Sequence, residues 1–253
     1  MAPPATAPPA LLTYVQNLVA TATLNSNNGI TSSSIIIDSQ TGINAPNGNI
    51  VVFGDQIQVN NSSITATNGT IAIGREGYSS GALSNYASVT NTSLIANKVE
   101  TSGKTLEVES NTVLASEWLL DPTNVTIGTT SGTSAGANPI VYTNQANVKA
   151  ADIVAAINAG TSVTVRGDGW IKQASGLTFT NNSGTVATLT IDNSLGSKQF
   201  IQLSGGITAT AGSTNVNIVG QEIILYLQHL MPSKILFTKK QMIILLSLCL
   251  MQI

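Results

Sequence analysis

The 253-residue chain carries 9% charged residues and a formal net charge of −2, where a typical protein is ~25% charged. Its only arginines are Arg75 and Arg166, and outside the C-terminal tail there is no Lys/Arg cluster, which excludes the phosphate-neutralising patch that nucleic-acid binding needs. The single cysteine, Cys249, allows no internal disulfide, and Val, Ile and Leu recur too regularly for a disordered chain.

Residues 1–24 are Pro/Ala-rich and then apolar. No basic segment opens them, so no export signal is read there. From 25 to 120 the pattern is short strands. The clearest stretch is Asn47–Gly74, where Ile50, Ile57, Ile64 and Ile71 recur every seven residues. Asn47-Gly48-Asn49 and Asn68-Gly69-Thr70 lie twenty-one apart, each before an isoleucine. A heptad could mean a coiled coil. Here Ile57/Val59 and Ile71/Ile73 alternate in twos, as strands do, and each interspersed glycine would cost a helix about 1 kcal/mol.

Three short strands in about twenty-one residues is the unit of a parallel β-helix, or β-solenoid. Its coils bury their apolar sides only by stacking. Arg75–Ser88, rich in Gly, Ser and Tyr, is expected to bulge from the column as a loop. Apolar pairs then return at Leu106/Val108, Val125/Ile127, Val163/Val165, Leu177/Phe179, Leu189/Ile191, Ile201/Leu203 and Val216/Ile218. Residues 121–160 form an insertion. Gly128–Asn138 is a loop by composition, and Lys149–Gly160 is a short helix. In that helix Ile153, Ala156 and Ile157 share a face and Gly160 is the stop. Residues 161–222 resume the coils. The expected fold is all-β, and a β-sandwich, which also has short strands, is the alternative.

Composition changes at 223. The segment 223–253 is apolar and has no Gly or Asn, and it holds His229, Cys249 and every methionine but Met1. Met242–Met251 is too short to span a bilayer, which needs about twenty residues. Extending it back takes in Lys239 and Lys240, which are costly in a bilayer. A frameshifted or foreign segment is the reading preferred over an anchor.

Two runs carry a resemblance. Val99-Glu100-Thr101-Ser102-Gly103-Lys104 is followed by Trp118-Leu119-Leu120-Asp121-Pro122. Together they resemble a signature of large filamentous-haemagglutinin-like bacterial adhesins, as do Thr70–Arg75, Asn124–Ile127 and Ala151–Val165. The resemblance covers about residues 40–220. It implies a right-handed parallel β-helix and a cell-surface or extracellular location. It also implies export through a partner outer-membrane transporter (two-partner secretion) or as an autotransporter. The role implied is adhesion to glycans or proteins on host or neighbouring cells. A frameshifted or truncated fragment without its own function is the alternative. A β-helical polysaccharide-active enzyme is a further one.

No catalytic, cofactor-binding or metal-binding residue is assigned. His229 has no partner motif for a triad. The candidate carboxylates Asp55, Asp121, Asp152, Asp168 and Asp192 are read as scattered at turns, with Asp121 initiating a turn before Pro122. A polysaccharide-active site would need several carboxylates, or carboxylates with Arg or Lys, converged on one groove. Arg75 and Glu76, with Tyr78 and Tyr86, could mark a contact loop. Trp118 is expected to pack on the end of a coil, with ligand stacking the alternative for Trp118 and Trp170. Open column ends are expected to self-associate.

Overall fold

The computed structural model describes residues 22–25, 34–38, 42–129, 145–195, 200–226 and 235–245, with backbone alone for the first and last of these. The readings for 1–21, 130–138, His229 and Cys249 fall outside the described residues. The described chain is mostly strand, paired in parallel, with one helix, and this sets aside the sandwich, whose sheets are antiparallel.

The strands stack into three ladders that the chain visits in turn. The first runs from Ala22–Asn25 through Ile50–Phe53 and the ends of Ser63–Ile73 and Ser93–Thr101. It continues through Glu117–Leu120, Ser162–Arg166, Ala187–Asp192 and the start of Thr214–Tyr226. Its inward row is Ile50, Ile71, Val99, Trp118, Val163, Leu189 and Val216, all buried. The second ladder aligns Ile35, Ile57, Ala87, Leu106, Ala146, Val125, Ile171, Ile201 and Ile223. The third aligns Ile43, Ile64, Leu94 and Val113. Alternate residues of a strand point the same way, so the three inward rows merge into one apolar core. Every apolar pair expected from the sequence lies in that core. The strand Thr214–Tyr226 runs across position 223, and the backbone of Ile235–Leu245 pairs with it in parallel.

The twenty-one-residue spacing is a direct contact. The Asn68 side-chain amide donates to Asn47 Oδ1 at 2.9 Å, and Asn49 Oδ1 accepts from the Thr70 N–H and hydroxyl, each at 2.9 Å. The backbones close in so far that a Cβ on Gly69 would overlap the Gly48 carbonyl oxygen. A second set of corners joins ladders two and three. Asn61, Asn91 and Ser110 stand there with φ of 49°, 49° and 59°, left-handed backbone that Asn tolerates better than most residues.

Two departures from regular stacking follow the strand Glu117–Leu120. Ala146–Lys149 lies between Thr105–Glu109 and Val125–Gly128 in the second ladder, so the chain steps back one rung. The helix Ala150–Asn158 then packs against Thr112–Leu114 and against Leu177–Asn181, in the place where a third-ladder strand would stand. Its alanines favour helix, and Ile153, Ala156 and Ile157 are buried as the spacing predicts. Gly160, at φ +91°, closes it. The Gly160 N–H donates to Ile157 O and the Thr161 N–H to Ala156 O, at 3.0 and 2.9 Å, a Schellman ending.

The missing strand would leave Thr112–Leu114 with open backbone groups. Asp152 in the helix and Thr161 just after it meet backbone groups in and beside this strand. Asp152 accepts from the Ser110 and Asn111 N–H groups at 3.1 and 2.9 Å. Thr161 Oγ1 accepts from the Ala115 N–H at 3.1 Å and donates to Val113 O at 3.3 Å.

The expected loop Arg75–Ser88 is corrected on two points. Arg75–Gly77 and Ser80–Leu83 form an antiparallel hairpin. Tyr86–Thr90 has already rejoined the second ladder, because Ala87 and Val89 are apolar at alternate positions and fill its inward row.

Gly69→Ala is expected to lose about 1–3 kcal/mol from forced overpacking. Gly176→Ala, whose Cβ would sit 3.8 Å from its nearest neighbour, should stay within about 0.5 kcal/mol of the parent. Chemical denaturation of both variants checks the pair. Asp152→Ala should cost about 2–5 kcal/mol for two unmet N–H groups, and Asp152→Asn, which keeps one acceptor, distinctly less in the same measurement.

Candidate functional site

Outward-facing residues of the first ladder are covered where the hairpin Arg75–Leu83 lies. Ala72, Glu100 and Leu119 are neighbours in register there, and all three are buried. A carboxylate in that row has lost its water, so it must find partners. Glu100 accepts from the Ser79 N–H at the hairpin turn, from Ser102 Oγ at 2.7 Å and from Arg75 Nη1 at 3.4 Å. Arg75 and Arg166 both donate to Asp121 Oδ2, and Arg166 also reaches Ser79 Oγ at 3.1 Å.

The structure therefore corrects the reading of Asp121. Its side chain gathers the two arginines, and with Glu100 it forms a four-charge cluster drawn from successive rungs. Burial holds the Glu100 carboxyl above its ordinary value, offset by the bonds from Ser79 and Ser102 and by the Arg75 charge. Hydrogen bonding to Asp121 raises Arg166 further. The two positive and two negative charges neutralise one another, and the polar groups point at each other. Such a cluster latches a hairpin to a column, with its two carboxylates turned to the arginines.

The remaining candidates separate. Tyr86 is fully buried, and its hydroxyl donates to Glu107 Oε2 at 3.0 Å, so it is no part of a contact loop. Tyr78 is half-buried with Lys98 over its ring, and Lys98 also pairs with Glu117 at 3.1 Å. Burial, then the charge of the neighbouring glutamates, raises both tyrosines. Trp118 is in the column interior, with its indole N–H on Thr101 Oγ1 at 3.0 Å. The alternation Trp118/Leu120 continues the inward row, so it does not cap a coil. Asp192 accepts from the Ser194 N–H at 2.8 Å, a turn as expected, and Asp168 is exposed between Gly167 and Gly169.

Trp170 is different, because it remains partly exposed. It stands one residue before Ile171, on the outer side of the second ladder, with Lys172 Nζ 4.6 Å from its ring centroid. Phe200 stands in the same place before Ile201. Asn147, Thr126, Lys172 and Gln202 align in register along this face, all partly exposed. Sequence reasoning singled out Trp170 alone, because the row draws on positions far apart in the chain.

A cleft of about 440 Å³ lies beside the helix, lined by small residues such as Ala150, Ala151 and Gly176 with the hydroxyls of Ser175 and Thr178, and among the described residues no titratable group lines it. Among the described residues no group of His, Cys, Asp and Glu could hold a metal ion, and no helix is long and apolar enough to cross a membrane. Comparison with family models, with curated proteins and with solved structures finds no match.

The raised Glu100 sets a sign for pH dependence. A carboxyl that binds its proton more readily folded than unfolded adds stability as pH falls toward the ordinary value of 4.5, and that contribution is lost as pH rises. The stability difference between the parent and Glu100→Gln should therefore shift in the parent's favour from about pH 8 to about pH 5. Urea midpoints across that range test it. A shift the other way would mean that Arg75 outweighs desolvation.

Proposed function

We propose that this chain is a right-handed, closed β-helical segment of a bacterial surface or secreted adhesin of the filamentous-haemagglutinin-like kind. It binds through an extended polar outer face. The observation that carries the reading is the second-ladder row Asn147–Thr126–Lys172–Gln202 beside Trp170 and Phe200. It is a flat surface in which amide, hydroxyl and amine groups repeat about 4.8 Å apart next to aromatic rings. Surfaces of this composition bind by many modest contacts, with the aromatic side chains as anchors.

The parallel three-ladder stacking supports the solenoid, and the Val99–Lys104 and Trp118–Pro122 runs support the kinship. Export by a partner outer-membrane transporter, and glycans or proteins of another cell surface as ligands, belong to the same proposal. Asp121 and Glu100 are buried with their arginines beneath the hairpin, which weighs against a polysaccharide-cleaving enzyme, whose carboxylates must reach a substrate groove.

The test is binding of the labelled full chain to cultured epithelial cells and to immobilised glycans. Trp170→Ala combined with Lys172→Ala should weaken binding about tenfold or more (~1.4 kcal/mol), while Thr188→Ala, on the outer side of the first ladder, should leave it unchanged. Absence of binding by the parent chain, or equal binding by the Trp170/Lys172 variant, would sink the reading.

A further inference from the structure

Where the chain turns from the first ladder into the second, three corners stack. Asp55, Asn85 and Lys104 each stand just before a second-ladder strand, in three successive rungs. Backbone bonds hold them in line. The Tyr86 N–H donates to Asp55 O and the Thr105 N–H to Asn85 O, each at 3.1 Å, and the Lys104 N–H donates to Ser84 O at 2.9 Å. The side chains form a second line beside the first. Lys104 Nζ donates to Asn85 Oδ1 at 2.8 Å, and Asn85 Nδ2 donates to Asp55 Oδ1. The amide orientation is fixed from both sides, because only its oxygen can face the ammonium and only its nitrogen the carboxylate.

We propose that this corner is a self-modification site, at which Lys104 and Asn85 join through an intramolecular isopeptide bond assisted by Asp55. A primary amine, a carboxamide and a carboxylate in hydrogen-bonded sequence are the complete set of groups that this condensation uses. Lys104 Nζ, uncharged, attacks Asn85 Cγ, so an N–C bond forms and the carbonyl becomes a tetrahedral centre. Asp55 takes the proton that Nζ sheds and passes it to Asn85 Nδ2, which it already holds. The Cγ–Nδ2 bond then breaks and ammonia leaves. Amine plus carboxamide give secondary amide plus ammonia, with no oxidant, reductant or cofactor. The geometry is that of the unreacted pair: Nζ lies at the amide oxygen, and rotation about the outer lysine torsions carries it over the carbonyl carbon. The stacked backbone supplies the proximity that makes an otherwise slow amide exchange intramolecular.

The product would tie two successive rungs at their corner, next to the hairpin that the charge cluster latches. The bond forms only in the folded column, since Asn85 and Lys104 meet only when the rungs stack.

The experiment incubates the purified full chain at about pH 7.5, 8.5 and 9.5 and follows intact mass and the tryptic map. Only the uncharged amine attacks, so the rate should rise with pH across this series. The expected result is loss of one ammonia and a branched peptide linking Asn85 to Lys104, with cleavage after Lys104 blocked. Lys104→Arg, which keeps the charge and the corner bond, should abolish the linked peptide, as should Asn85→Ala. Asp55→Ala should slow its formation at least tenfold. Urea must prevent formation in the parent, and Lys104→Arg must keep the parent's circular dichroism. An unlinked map at every pH overturns the proposal. So does ammonia loss mapped only to Asn47-Gly48 or Asn68-Gly69, where succinimide forms without a lysine, and so does conversion of Asn85 to Asp.

Discussion

In a parallel stack, the backbone N–H and C=O groups of one rung are met by the rungs above and below, and by little else. Each buried group left unmet costs about 1–3 kcal/mol. That constraint governs this molecule more than any side chain does. The chain may depart from its path only where something else supplies the missing donor or acceptor. The helix Ala150–Asn158 is such a departure. It removes a third-ladder strand, and the open edge it leaves is met by the Asp152 carboxylate at one end and the Thr161 hydroxyl at the other. Asp152 carries a desolvation cost for that position, since its carboxyl is held above the ordinary value by burial against the bonds from Asn111 and Ser110.

The hairpin Arg75–Leu83 is tolerated for the opposite reason. It leaves the column at a corner and satisfies itself by antiparallel pairing, so no rung loses a partner. What it needs is a hold on the outer wall. Glu100, Asp121 and Arg166 supply one from rungs that form after the hairpin in the chain. A buried cluster of this kind is weak evidence for stability, because desolvating four charges offsets most of their attraction. Its better-supported role is registry, in that it specifies where the hairpin lies.

These features explain how far the sequence could be read. Strand alternation was plain because an inward position must be apolar at every rung, and Leu106/Val108 or Leu189/Ile191 show it without help from context. The helix was equally plain, since Ile153, Ala156 and Ile157 break that alternation and Gly160 ends it. The twenty-one-residue period is plain from Asn47 to Gly74, and the next uninterrupted rungs, from Tyr86 to Leu120, repeat at nineteen. Ile57 and Ala87, thirty positions apart, are neighbours in register because the hairpin intervenes, and Trp118 and Val163 are neighbours across the back-step and the helix. Insertions of that size erase a period while leaving each strand intact. The charge cluster was hidden for a related reason. Arg75 and Arg166 lie 46 and 45 positions from Asp121, and no local motif joins them. The usable signal was their scarcity, since they are the only two arginines of a charge-poor chain.

Scarcity of charge also shapes the corners. A column built of Asn, Ser and Thr turns must keep its rungs in register by amide and hydroxyl bonds, as between Asn47 and Asn68 or Asn49 and Thr70. Each such bond contributes only about 0.5–1.5 kcal/mol net, so the corners alone would permit a rung to slip. The inward rows resist slippage by one residue, which would turn every isoleucine out to water. They do not resist slippage by two, because Ile57/Val59 and Ala87/Val89 would still present apolar groups. Corner residues with a fixed identity remove that degeneracy. Asn61 and Asn91 do so through their left-handed backbone, and the Asp55–Asn85–Lys104 line does so because only that order of acceptor, amide and donor bonds from end to end.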